Sequence, residues 1–154
     1  MPDWLTHSLF GWIIGKTTKM DIGLIVVGAL IPDTIKIGLG LSWIGVEHNN
    51  FLYPLHTPLC ALIIGGIFSL LFSDSKKAFQ LLGIGIISHF ILDLFLEHVY
   101  GGIKIFFPFS WQEWQMYLIR SDDYFVTIFA FIIATIVYLI YWKNNRTKLD
   151  SDGC

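Results

Sequence analysis

Charge is scarce in this sequence: Asp, Glu, Lys and Arg make up 14% of its 154 residues, where soluble domains carry about a quarter. With 55% hydrophobic residues and a mean hydropathy of +0.64, the shortage points to a bilayer rather than water as the solvent. A surplus of positive charge is missing too. The formal net charge of -2 offers no basic surface, so no nucleic-acid partner is expected. Cysteine is reduced to Cys60, inside an apolar run, and Cys154, and a disulfide from membrane interior to tail is geometrically awkward. No internal repeat or low-complexity segment is present. The first apolar run lacks a basic leader and is followed by Lys16 instead of a small-residue cleavage site, so a removable signal peptide is not expected.

What the sequence has in quantity is apolar runs. Tyr124 to Trp142 is nineteen residues without a charge, framed by Tyr and Trp as at a membrane interface. Pro54 to Phe72 is a second run of that length, and Ala78 to Leu96 a third, with Asp93 as its one charge. Two shorter runs, Trp4 to Gly15 and Ile22 to Ile31, fall below the roughly 20 residues that a span needs. The expected fold is therefore an all-α polytopic helical bundle with about five membrane segments, the first two short. Residues 1–142 form a single membrane domain, and residues 143–154 a short polar tail expected to be disordered and cytoplasmic. The stretch from Glu97 to Asp123, rich in aromatics, reads as an ordered interfacial loop or short helix.

Basic residues set the orientation, because short loops rich in Lys and Arg stay in the cytoplasm. Alternation of five segments places Lys16, Lys19, Lys76, Lys77, Lys143, Arg146 and Lys148 on one side, against Lys36, Lys104 and Arg120 on the other. This puts the N-terminus outside and the tail inside.

Ionisable side chains inside membrane segments cost roughly 2.5 to 3.5 kcal/mol at mid-helix on insertion scales, so they face partners or water. His89, Asp93 and Glu97 recur at intervals of four, within about 80° on one helical face. Imidazole and carboxylate together suit zinc, manganese or iron. The topology adds His7 near the outer start of the first segment, Asp33 after Pro32 at the outer end of the second, and His56 before Thr57-Pro58 at the start of the third. Thr57 reads as an N-cap with Pro58 at the first helical position, which holds His56 at a helix mouth. Asp3, four residues before His7, is placed to orient that ring.

Taken singly, each has a plainer reading: His89–Asp93 as a structural buried pair, Asp33 as a helix terminator, His7 as an interfacial histidine, His56 as a loop residue, Glu97 as a solvated acid, Asp3 as an N-cap, Lys36 as a snorkelling lysine. Phe106, Phe107, Phe109, Trp111 and Trp114 read as an interface belt. His48 and His98 lack a carboxylate partner on the same helical face. The joint arrangement is what argues for a site.

Thr6-His7-Ser8, Pro32-Asp33, His56-Thr57-Pro58, Ser88-His89 with Asp93, and Pro108-Phe109-Ser110 together resemble the YdjM-like predicted membrane-bound metal-dependent hydrolases, a group associated with LexA regulation. The likeness spans most of the chain. Ile35 stands where that family commonly has a second acid, and Leu55 precedes His56 where the family pairs histidines, which weakens the case for two metals. The resemblance implies a hydrolase in which His7, Asp33, His56, His89 and Asp93 bind one or two divalent ions, zinc favoured and manganese or iron allowed. Glu97 or Asp3 would then move the proton. An embedded site favours an amphiphilic substrate, and mixed His and Asp ligands on helices are similar to zinc-dependent phospholipase C, so a lipid or prenyl phosphoester is the expected substrate. The alternative is a protein that binds or passes a metal ion or proton without catalysis. Either way the expected partners are membrane lipids, in the inner membrane, with the site toward the extracytoplasmic face.

Overall fold

The computed structural model describes residues 4–34, 53–97, 102–120 and 124–152. Among the described residues, five α-helices carry the fold: α1 (Trp4–Thr18), α2 (Ile22–Leu30), α3 (Pro58–Ser69), α4 (Ser75–Leu94) and α5 (Phe125–Asp152). Short 3-10 turns follow α2 at Ile31–Thr34 and precede α3 at Tyr53–His56. The all-helical expectation holds apart from a parallel pair of two-residue strands, β1 (Leu96–Glu97) and β2 (Ile119–Arg120).

Local sequence explains most boundaries. Asp21 caps α2 by accepting from the Leu24 N–H at 3.1 Å, and Asp74 caps α4 by accepting from Lys77 at 3.0 Å. Between α1 and α2 the chain reverses through Lys19 in the left-handed region (φ 59°), and the Met20 N–H reaches back to the Gly15 carbonyl at 3.1 Å. Thr57 caps α3, accepting from Cys60 at 3.4 Å, with Pro58 as the first helical residue.

The apolar run from Pro54 to Phe72 does not become one span-length helix. Only the 12 residues of α3 are α-helical, because the pre-proline step at Thr57 forces extended backbone (ψ 148°) and the exit at Leu70 to Phe72 tightens into successive short turns. Among the described residues, two helices are long and apolar enough to cross a membrane by length and composition, α4 and Phe125–Arg146 within α5. At 20 residues, α4 is about 30 Å long, the thickness of a hydrocarbon core. A tail beginning at Lys143 was expected to be disordered; instead α5 continues to Asp152. No Gly or Pro interrupts it before Gly153, and Arg146 stacks on Trp142, four residues earlier, at 4.0 Å.

Contacts give the helix directions. Thr6 near the start of α1 shares a 2.8 Å hydrogen bond with Thr127 near the start of α5, while Lys16 lies over the Tyr141 ring toward their other ends, so α1 and α5 run parallel. His7 near the start of α1 meets Asp93 near the end of α4, so these two run antiparallel. α2 runs alongside α4 in the same sense, with Gly28 against Leu82 and Ala29 bonded to His89. α3 opposes α4: His56 before its start meets Asp93, and Gly66 near its end lies beside Phe79. Lys16, Lys76, Lys77, Lys143 and Arg146 accordingly gather at one end of the bundle, and the His and Asp residues at the other.

The closest crossing is between α2 and α4, and it is made by glycines. A β-carbon on Gly28 would sit 2.2 Å from the Leu82 carbonyl oxygen, and one on Gly85 2.1 Å from that of Ile25. In a bilayer, where lipid tails are as apolar as any helix face, close backbone packing of this kind holds helices together. The apolar core beside it comprises Ile31, Ala61, Leu82, Ile86, Phe90 and Ile103. Ile103 comes from the loop after α4, which is an irregular hairpin and not a helix: Ile103 and Trp114 exchange both backbone hydrogen bonds at 2.9 Å.

Candidate metal centre

Among the described residues, the buried polar side chains are Thr6, His7, Asp33, Thr57, Ser69, His89 and Asp93. All but Ser69 lie at the end of the bundle opposite Lys16, Lys76 and Lys77. His89 and Asp93 project from one face of α4 because they are a helical turn apart. α1 delivers His7, the 3-10 turn after α2 delivers Asp33, and the turn before the Thr57 cap delivers His56.

Asp93 is the hub. Its carboxylate lies 3.0 Å from His56 Nε2, 3.2 Å from His89 Nε2 and 3.4 Å from His7 Nε2. His89 is fully buried, His7 and Asp93 are 1% exposed, Asp33 is 2% and the His56 side chain 13%. The five residues predicted as ligands thus meet at one place, in two overlapping groups, His7 with Asp33 and His89, and His56 with His89 and Asp93.

Hydrogen bonding assigns the ring protons. His89 Nδ1 lies 2.8 Å from the Ala29 carbonyl oxygen, and His56 Nδ1 3.2 Å from that of Pro32. A carbonyl only accepts, so both Nδ1 atoms carry hydrogen and donate. In the neutral rings, Nε2 then presents a lone pair toward carboxylate oxygens that are themselves acceptors. Acceptors held face to face at such distances need a positive charge between them.

A second ring proton is one source of that charge, and it can serve one ring but not all three. The Nε2 atoms of His7, His56 and His89 make no hydrogen bond of acceptable angle, despite their proximity to Asp93. The His7 and His89 rings stack with centroids 3.8 Å apart and planes 20° apart. Two imidazolium ions at that distance would repel by about 4 kcal/mol even at an effective dielectric of about 20. A shared cation removes both difficulties. Donor atoms about 2.1 Å from one ion, at tetrahedral or octahedral angles, stand roughly 3.0 to 3.4 Å from one another, the range of the three contacts with Asp93. The carbonyl acceptors of Ala29 and Pro32 correspond to the outer hydrogen bonds that fix the tautomer of metal-binding histidines.

His7 contributes differently. Neither of its buried ring nitrogens has a hydrogen-bond partner among the described residues, and an unsatisfied buried polar atom costs about 1–3 kcal/mol. Ligation would satisfy Nε2.

Glu97 departs from its expected position. α4 ends at Leu94, where the carbonyls of Leu94 and Phe95 accept from Met116 and Leu118 of the hairpin, so Glu97 lies in β1 and the helical period linking it to His89 and Asp93 does not reach it. Asp3, Ile35, Lys36, His48 and His98 lie outside the described residues. The backbone acceptors Ala29 and Pro32 were missed by side-chain reasoning. Their available signal was indirect: Gly85, one turn before His89, marks where α2 comes close enough for a ring to reach a carbonyl.

Comparison with curated proteins and with solved structures returns no match. The family model for the YdjM inner membrane protein matches residues 3–150, covering every residue of the His and Asp cluster, and the chain belongs to that family.

Proposed function

We propose that the cluster binds one divalent cation and that the protein is a membrane-embedded, metal-dependent hydrolase of an amphiphilic phosphoester, lipid or prenyl. The observation that carries the metal reading is the approach of three histidine Nε2 atoms to the Asp93 carboxylate within 3.4 Å, with the Nδ1 atoms of His56 and His89 bonded to carbonyls. One ion rather than two follows from His89, which belongs to both groups but has one nitrogen left to give. Zinc suits three imidazoles with carboxylate, and manganese or iron is compatible with the same donors.

A divalent ion held there supplies Lewis-acid polarisation of a phosphoryl oxygen and makes a water molecule acidic near neutral pH. Around it, Asp93 orients the three imidazoles and offsets positive charge. Asp33 adds a carboxylate on the side of His7 and His89. The packed ends of α1, α2 and α4 restrict water. Proton transfer falls to a further carboxylate, with Glu97 and Asp3 the assignments from sequence. Five segments crossing alternately, with the N-terminus outside and the site toward the extracytoplasmic face, accord with the alternating helix directions and the single basic end.

Burial favours a second reading. Four of the five side chains are at most 2% exposed, as suits an ion or proton held or passed without catalysis. Metal analysis of the purified protein against His89→Ala and Asp33→Ala tests the site: close to one equivalent per chain is expected in the wild type and strong depletion in both variants. Unchanged metal in both would sink the assignment. Metal retained in a wild type that hydrolyses neither long-chain phosphomonoesters, read as released phosphate, nor diesters, read as the released alcohol or phosphomonoester, would select the non-catalytic reading.

A further inference from the structure

The hairpin between α4 and α5 has two faces of opposite fate. Ile103 is 2% exposed and packs in the core cluster with Phe90 and Ile31, with Ile105 partly buried against it. The other face carries Phe106, Phe109, Trp111, Tyr117 and Leu118, all more than half exposed, and Phe109 is 95% exposed. Water is a poor environment for so contiguous an apolar surface.

Charge within the hairpin is cancelled internally. Between Gly102 and Leu118 the ionisable groups of fixed charge are Lys104 and Glu113. Their Nζ and Oε1 atoms are 3.7 Å apart, and the Lys104 ammonium also lies 5.0 Å from the Trp111 ring centroid. The remaining polar character is Trp, Tyr, Gln and Ser110, the first two being residues that favour the headgroup level of a bilayer.

Backbone bonds set the depth. Met116 donates to Leu94 at 2.9 Å and Leu118 to Phe95 at 3.3 Å, tying the hairpin to the last turn of the helix whose length matches the hydrocarbon core. Exposed apolar side chains also surround the same end of the bundle: Ile87 and Ile91 on α4, Phe95 just after it, Tyr124 just before α5, and Phe125 and Ile128 on α5.

We infer that this hairpin is a membrane anchor, its aromatic face seated in the headgroup and upper acyl region of the leaflet at the metal-site end. The occupant of the surface is the bilayer itself. Seated there, the hairpin places the cluster at the depth of lipid headgroups, because Phe90, in contact with the same core as Ile103, has its ring 5.6 Å from that of His56. An amphiphile would then approach the site from the leaflet and not from bulk water. The anchoring itself stands independently of the metal.

Spin labels in the full chain, with Cys60→Ala and Cys154→Ala, reconstituted in phosphatidylcholine vesicles, test this. Labels at Phe109→Cys and Trp111→Cys are compared with Ile132→Cys on the exposed face of α5 and Ser73→Cys in the exposed turn before α4. All four positions are exposed, so the core is untouched. The expected result is an oxygen-to-nickel-chelate accessibility ratio at 109 and 111 several-fold above that at 73 and approaching that at 132. A ratio equal to that at 73 would mean a hairpin in water and would overturn the proposal. So would labels at 109 and 111 that are shielded from both reagents and immobilised, which would mean a protein partner or a second copy on that face. No metal is read in this experiment, so its failure leaves the metal assignment standing.

Discussion

Asp93 shows how much one buried side chain organises. It faces three imidazoles within 3.4 Å, and no neutral arrangement of those rings provides a proton for each of its contacts once His56 and His89 have committed Nδ1 to carbonyls. Asp93→Asn keeps the shape and removes the charge. The expected outcome is a loss of metal affinity of at least about tenfold, measured by competition with a chromophoric chelator, while helical circular dichroism is retained. Unchanged affinity would mean that the carboxylate only bridges histidines. Chelation of the wild type is expected to lower its melting temperature, because an ion bound to the folded form at about 100 times its Kd contributes about 2.7 kcal/mol. A melting temperature indifferent to chelator would show that the cluster folds without the ion.

At the scale of elements, the α2–α4 crossing decides whether the ligands meet. Gly28 and Gly85 let the backbones approach so that His89 reaches the Ala29 carbonyl. Gly85→Ala would drive a methyl group into the Ile25 carbonyl and part the helices, at about 1–3 kcal/mol for overpacking. Reduced thermal stability in micelles and reduced metal content are expected together. Gly83 is the internal control: a β-carbon there meets nothing within 4 Å, so Gly83→Ala is expected to be neutral or stabilising by up to about 1 kcal/mol through helix propensity. Equal behaviour of the two variants would remove the crossing from the explanation.

Across the whole molecule the arrangement is polarised, with most basic residues at one end and buried His and Asp at the other. If the basic end is cytoplasmic, Ser73→Cys and Asn144→Cys are expected to react with an impermeant maleimide only after the membrane is opened, whereas Thr34→Cys reacts in intact cells. Labelling of Thr34→Cys from the cytoplasmic side alone would invert the orientation while leaving the site geometry intact.

The residues of the site were legible because their spacing carries information. His89 and Asp93 share a face by helical period, Pro32 and Thr57-Pro58 mark helix ends by backbone rules, and the distribution of Lys and Arg sorts helix ends into two groups. Each of these is local or statistical and needs no partner to be read. The sequence by itself therefore determined a helical membrane protein with the His and Asp side chains of its apolar segments collected at one end. The halt of α4 at Leu94 before Glu97 and the inward turn of Ile103 were decided by tertiary structure, since each depends on which backbone groups find partners in distant segments. The same holds for the centre itself: ring protons are assigned by the carbonyls of Ala29 and Pro32, and main-chain acceptors leave no side-chain signature until two glycines bring the helices into contact.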